Sequence, residues 1–335
     1  MKINKYTTAL LGLFAVNAVA QTAVQDIELS IPDFYGSIRA QAAFQENTDY
    51  TTDIYQAKAG LMGFVPVYDF RLRYKLEAEY SESMVGSASD NDLIIREANI
   101  IMMSKKWGGT YIGSGTTGTW ADLYSKVDIF ESNNMERHSN NMLFGGQRYA
   151  TNQLAVTTPH FGPFYFKAAV ISPKDDNDND ADILGLRALY NQGNFSLVVN
   201  QSLTSKEMIV NATGKYAKED SQRTIVATSY QWENFYLGGV AEFDYDAPYN
   251  KRNVYGLSGE YTYNDTSFRL GYQYADWQNA HDNESLVLAN VSHIINKYFT
   301  VFAEGALFSE EPEQNPNVKS MSKSDNINLG LIVSF

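Results

Sequence analysis

Apolar and polar residues alternate with a period of two through most of this chain. The clearest run is Phe70–Tyr80, where Phe70, Leu72, Tyr74, Leu76, Ala78 and Tyr80 share one face. Arg71, Arg73, Lys75, Glu77 and Glu79 share the other. Side chains of a β-strand point alternately to opposite sides, so this is a strand with one apolar and one charged face. Asp33–Phe44 repeats the pattern with Phe34, Ile38, Ala40, Ala42 and Phe44 on one side and Tyr35, Arg39 and Gln41 on the other. The same period predicts strands over 33–46, 53–65, 69–82, 92–104, 109–116, 148–159, 163–172, 182–190, 194–204, 222–231, 235–245, 252–263, 266–275, 284–294, 298–308 and 325–335, sixteen in all.

The connections between these strands are of two kinds that take turns. Tight ones fall at Pro66–Asp69, Lys105–Gly109, His160–Pro163, Asn191–Asn194, Trp232–Asn234, Tyr263–Asp265 and Ile295–Lys297. Longer polar ones fall at Asn47–Thr52, Ser83–Asn91, Pro173–Ala181, Ser205–Ser221, Asp246–Lys251, Asp276–Asn283 and Ser309–Ser324. An even strand count with short turns at one end and long loops at the other is the rhythm of a transmembrane β-barrel. The last strand puts Ile327, Leu329, Leu331, Val333 and Phe335 on one face. Left open it would be an adhesive edge, and closure against the first strand removes that edge. The fold class read from the pattern is all-β, a 16-stranded antiparallel transmembrane β-barrel.

One stretch, Thr117–Gln147, breaks the alternation. A long loop inside a compact fold is usually functional or disordered. This one mixes Trp120, Leu123, Val127, Ile129 and Phe130 with Asp122, Asp128, Glu131 and Glu136, which argues against free solvation. It falls in the third outer loop, and we expect it to fold inward and narrow a channel. Its acids would then face a row of wall bases: Arg39, Arg71, Arg73 and Arg96 on early strands, and Arg148 just after the loop. Charged side chains at the narrowest point and the width there set a channel's selectivity.

Composition sharpens this picture. The start MKINKYTTALLGLFAVNAVA has Lys2 and Lys5, a short apolar core Ala9–Val16, and Ala18-Val19-Ala20 as a small-x-small cleavage site. Residues 1–20 are expected to be a secretory signal peptide, leaving 21–335 as the barrel. The apolar core is shorter than the ~20 residues a membrane-spanning helix needs. The formal net charge of −13 gives no electrostatic case for nucleic acid and points to a weak cation preference. With no cysteine, disulfides, thiol catalysis and thiolate metal sites are excluded. His138, His160, His281 and His293 are scattered and make no zinc or hydrolase motif, and no cofactor is expected. Asp175, Asp176, Asp178, Asp180 and Asp182 in Pro173–Asp182 offer alternate carboxylates. Asp176, Asp178 and Asp180 are weak candidates for a divalent cation, since the distal Glu of a calcium loop is missing. A solvated loop, or one bridged by ions to lipopolysaccharide phosphates, explains the stretch as well.

Several motifs carry a family resemblance. Phe34-Tyr35-Gly36 opens the first strand. Arg96-Glu97-Ala98 is followed by Trp107-Gly108-Gly109-Thr110 and Ile112-Gly113. Arg148-Tyr149-Ala150-Thr151-Asn152-Gln153 runs on to Thr158-Pro159 and Phe161-Gly162, and the chain ends on Phe335. In this order and spacing the chain resembles the general diffusion porins of Gram-negative outer membranes over essentially its whole length. It departs from them in Ser114 after Gly113 and in lacking a Pro-Glu-Phe-Gly-Gly element in the loop. The resemblance implies a homotrimer in the outer membrane, passive diffusion of small hydrophilic solutes and ions, and a third loop folded into the lumen. No base sits beside a nucleophile, so no enzyme is expected. A substrate-specific channel, and a surface receptor or adhesin on a plugged barrel, are the alternative functions.

Overall fold

The structure is a computed structural model that describes residues 31–45, 48–80, 94–134, 143–146, 148–172, 181–209, 217–245, 251–278, 283–309 and 325–335. The expected signal peptide, Glu136, and Asp175 to Asp180 lie outside the described residues. Sixteen strands form: β1 Asp33–Gln45, β2 Thr51–Val67, β3 Phe70–Tyr80, β4 Ile94–Ser104, β5 Gly108–Thr116, β6 Tyr149–Thr157, β7 Phe164–Ile171 and β8 Ile183–Gln192. They continue as β9 Phe195–Thr204, β10 Ser221–Trp232, β11 Phe235–Tyr245, β12 Arg252–Tyr263, β13 Thr266–Trp277, β14 Glu284–Asn296, β15 Phe299–Phe308 and β16 Asn326–Ser334. Each strand pairs antiparallel with the next, and β16 returns to β1, so the sheet is a closed barrel.

Closure is completed at the seam. Gly36 N donates to Phe335 O at 2.9 Å and Phe335 N donates to Gly36 O at 3.0 Å. The Phe335 ring lies against Gly36 so closely that a β-carbon there would stand 2.4 Å from it. Several tight connections are shorter than the pattern predicts, among them Tyr68-Asp69, Gly193-Asn194, Glu233-Asn234 and Asn264-Asp265, two residues each. β2 runs through Pro66, and only Tyr68 and Asp69 make the turn, with Tyr68 at φ +52°. Two-residue turns of this kind suit the twist of a hairpin.

The outward face is apolar. Leu76, Ile100, Ile112, Leu186, Leu257, Leu270 and Leu329 are all exposed there. Aromatic side chains gather near the tight turns, with Trp232, Phe235 and Tyr261 in ring contact at 6.2 and 4.6 Å. An apolar band edged by aromatic rings is the lipid-facing surface of a membrane barrel. Buried polar residues lie inside: Gln41, Gln56, Glu77, Glu79, Glu97, Asn99, Asn290 and Asn328 are all nearly inaccessible. A register shift between β1 and β2 turns two consecutive residues, Tyr55 and Gln56, into buried positions. Bulges of this kind re-aim a side chain without ending the pairing.

Candidate functional site

The loop that follows β5 is anchored at its root by a main-chain bond from Thr117 N to Arg148 O at 2.7 Å. Thr117 then caps a short helix, α1, over Gly118–Asp122, its side-chain oxygen accepting from Trp120 N at 3.2 Å. A 3₁₀ turn at Tyr124–Lys126 follows. These two turns aim Leu123, Tyr124, Val127 and Phe130 at the barrel wall, where all four are fully buried. Leu143 and Phe144 join them from the far end of the loop. Together they pack on inner-wall residues of β8 to β15, among them Leu189, Val198, Ile225, Val240, Val254, Leu286, Leu288 and Ala306. Each fully buried side chain of this size contributes about 1.5–3 kcal/mol.

The wall is shaped to receive this face. Gly238, Gly256 and Gly271, on β11, β12 and β13, form a shallow recess. A β-carbon on Gly238 would stand 1.9 Å from Lys126 O, one on Gly256 2.8 Å from the Phe144 ring, and one on Gly271 2.6 Å from the Phe130 ring. Polar groups of the wall satisfy the loop backbone. Ser258 Oγ donates to Val127 O at 2.7 Å, Tyr236 Oη to Lys126 O at 3.0 Å, and Tyr55 Oη to Glu131 O at 2.6 Å. Leu143 N donates to Gln273 Oε1 at 3.1 Å. Glu304 receives Glu131 N at 2.9 Å, Ser132 N at 3.2 Å, Asn290 Nδ2 at 2.9 Å and the Ser132 hydroxyl. Tyr124 donates to Glu242, and burial, with that carboxylate beside it, holds the Tyr124 hydroxyl well above the ordinary phenol range.

The loop acids occupy different places from a set of charges facing arginines across a gap. Glu131 is clamped to the wall the loop rests on, between Arg39 Nη1 at 2.7 Å and Arg269 Nη1 at 3.3 Å. Asp122 is held by Lys167 Nζ at 2.8 Å and Arg187 Nη1 at 2.6 Å. Asp128 is buried under the loop and accepts from Trp120 Nε1 at 3.2 Å. The physical reason is burial. A carboxylate carried on a segment that packs against a wall is stable only with its charge paired or hydrogen-bonded.

The expected bases also divide. Arg71 sits beside the Tyr68–Asp69 turn with its guanidinium 3.7 Å over the Phe64 ring, away from the loop root. Arg39 belongs to the Glu131 clamp. Arg73, Arg96 and Arg148 stay on the wall of β3 to β6. Arg73 Nη2 donates to Asn99 Oδ1 at 3.4 Å, and Arg96 pairs with Glu79 at 3.5 Å. Arg148 lies over both Trp120, at 4.6 Å, and Tyr149, at 4.8 Å, and Arg96 also lies over Tyr149, at 4.7 Å. This stack joins the loop root to the charged wall. Lys58 and Lys75 share Glu77, each at 3.6 Å, and Lys75 reaches Glu97 at 3.6 Å.

Lys58, Lys167, Arg187, Arg269 and Glu304, which pair with or hold the loop and wall charges, were not singled out from the sequence. All lie on inner positions of strands with a visible period of two, so extending the inner-face count around the whole barrel would have found them. Among the described residues, no group of three His, Asp or Glu could hold a metal ion. No described helix is long and apolar enough to cross a membrane, which says nothing of a crossing by strands.

A family described as Gram-negative porin matches residues 7–311. No curated protein sequence matches the chain. Among solved structures, the barrel is similar to Salmonella typhi OmpF in complex with daunomycin, at 14% identity and TM-score 0.73, over 91% of this chain and 97% of that one. It is similar to an anion-selective porin from Comamonas acidovorans at 14% identity and TM-score 0.70, over 91% and 99% of the two chains. The outer membrane channel DcaP of Acinetobacter baumannii matches at 12% identity and TM-score 0.69, over 91% and 97%.

Proposed function

Because this chain belongs to the Gram-negative porin family, whose members are channels, we propose that its narrowest passage runs between the docked loop and the charged wall of β2 to β6. The protein is an outer-membrane channel for passive diffusion of small solutes. The observation that carries the proposed passage is one-sided docking. The loop packs on β8 to β15 and reaches β1 and β2 through Glu131, which meets Arg39 and Tyr55, while its contacts toward β3 to β6 are at its root, through Trp120 and Arg148. Solutes pass between the docked loop and the side chains of Lys58, Lys75 and Arg96, with the stacked Trp120 and Arg148 at one edge. On this reading Glu131 and Asp122 set the position of the loop, and the wall bases meet the solute. The barrel does no chemistry of its own.

The proposed assembly is a homotrimer in contact with lipopolysaccharide. Small outward side chains on neighbouring strands, Ala40 and Ala42 on β1 with Ala57 and Ala59 on β2, support a close approach of subunits at that side. The absence of cysteine allows a clean test of the passage. Single Lys75→Cys and Trp120→Cys variants in planar bilayers should lose conductance when a bulky water-soluble thiol reagent is added. Full modification with unchanged current would place the passage elsewhere.

A further inference from the structure

Equal numbers of acids and bases do not make a neutral passage when the two sit at different depths. In this barrel they do. Lys58 and Lys75 keep 24% and 21% of their side-chain surface, whereas their partner Glu77 keeps 2%. Lys167 keeps 26% against 15% for Asp122, and Arg223 keeps 25% against none for Glu242. Among the ion pairs of the described residues the base is the more exposed member in ten of twelve. The exceptions are Arg187 with Asp122 and Arg269 with Glu260. The cause is side-chain length. Lysine and arginine lay their apolar stems along the wall and carry the charge into water, while shorter carboxylates stay at its foot.

Local counts point the same way. On the inner face of β2 to β6, with Arg148, the bases Lys58, Arg71, Arg73, Lys75, Arg96 and Arg148 stand against Asp53, Glu77, Glu79 and Glu97, or 6 − 4 = +2. The acidity of the whole chain lies elsewhere. Three outer connections alone, 81–93, 173–180 and 310–324, sum to −3 − 3 − 1 = −7 of the total −13.

We infer that the channel selects for anions, small inorganic ions and organic carboxylates or phosphates alike, through the exposed bases of β2 to β7 standing in front of buried acids. The inference rests on the passage proposed above. It reverses the cation preference that net charge suggests. Anions spend their transit beside ammonium and guanidinium groups, and the negative partners act on them only from behind.

The test is the reversal potential of the purified channel in a planar bilayer under a potassium chloride gradient. The expected sign is that of chloride preference, weakening as salt is raised because screening shortens the reach of the wall charges. Replacing Lys58 and Lys75 by Gln should lower the chloride-to-potassium permeability ratio about four-fold, roughly two-fold for each charge acting at ~8 Å in screened water. Lys167→Gln serves as a second, single variant, and heat-dependent mobility in detergent gels confirms assembly of each. A potassium-signed potential in the wild-type channel overturns the preference while the passage stands, since thiol block reads the passage separately. A chloride-signed potential left unchanged by every variant overturns its assignment to these bases.

Discussion

Adding one methyl group to the wall should loosen the loop from the far side. In Gly271→Ala the new β-carbon would stand 2.6 Å from Phe130 Cζ and 2.8 Å from Cε2. Comfortable carbon contacts begin near 3.5 Å, so the ring must retreat by roughly 1 Å. Phe130 is fully buried and has little slack. Its neighbour Glu131 moves with it, and that residue holds Arg39 at 2.7 Å while its own N–H donates to Glu304 at 2.9 Å. Overpacking a tight site costs about 1–3 kcal/mol. At ~1.4 kcal/mol per factor of ten, the undocked fraction of the loop should rise about five- to a hundred-fold. Single-channel recording reads this as more frequent brief excursions in current, with the mean open level nearly unchanged. Phe130→Leu in the same chain shortens the ring side of the contact and should recover much of the quiet trace. An unchanged excursion rate in Gly271→Ala, or a double variant that is merely the sum of the two single ones, would refute the recess-and-ring account of docking.

Two further outcomes follow from the ion pairs. Asp122→Asn leaves Lys167 and Arg187 without their carboxylate, so the chloride preference should increase in reversal-potential measurements; a decrease would contradict the assigned sign. Glu304→Gln keeps the shape but turns one acceptor into a donor facing donors. Each charge-assisted bond lost costs about 1.5–3 kcal/mol, so the loop should become cleavable by protease at concentrations that spare the wild type, and equal resistance would remove Glu304 from the docking site.

The strands were legible in the sequence because lipid on one side and water on the other impose a strict period of two. Phe70–Tyr80 shows it over five consecutive charged inner positions. The loop was legible as the place where that period stops. The direction in which the loop leans was not read, although a trace of it is present. Leu286-Val287-Leu288-Ala289 in β14 is apolar on both faces, and Leu286 and Leu288 prove to be the inner ones, fully buried under the loop. Gly238-Gly239 in β11 is a similar trace, because a glycine within a strand marks a close approach by something else. Which charges pair was beyond the alternation. Alternation fixes the face a side chain is on, whereas the Glu131 clamp joins residues 39, 131 and 269, brought together only by closure of the ring and by the path of the loop. Depth was also hidden, and with it the sign of the field, since a count of charges does not record which ones reach the water.

The apolar lining of β8 to β15 gives the loop a second duty, which concerns wetting. A narrow passage bounded by Leu189, Val198, Val240, Leu286 and Leu288 would hold water poorly, and hydrophobic constrictions close by drying. The loop hides that lining and presents in its place a surface that includes Trp120, Ala121 and Asp122. A barrel stripped of this loop would therefore be a wider tube with a water-repelling stripe along half its wall. The segment that narrows the passage is also the one that keeps it filled.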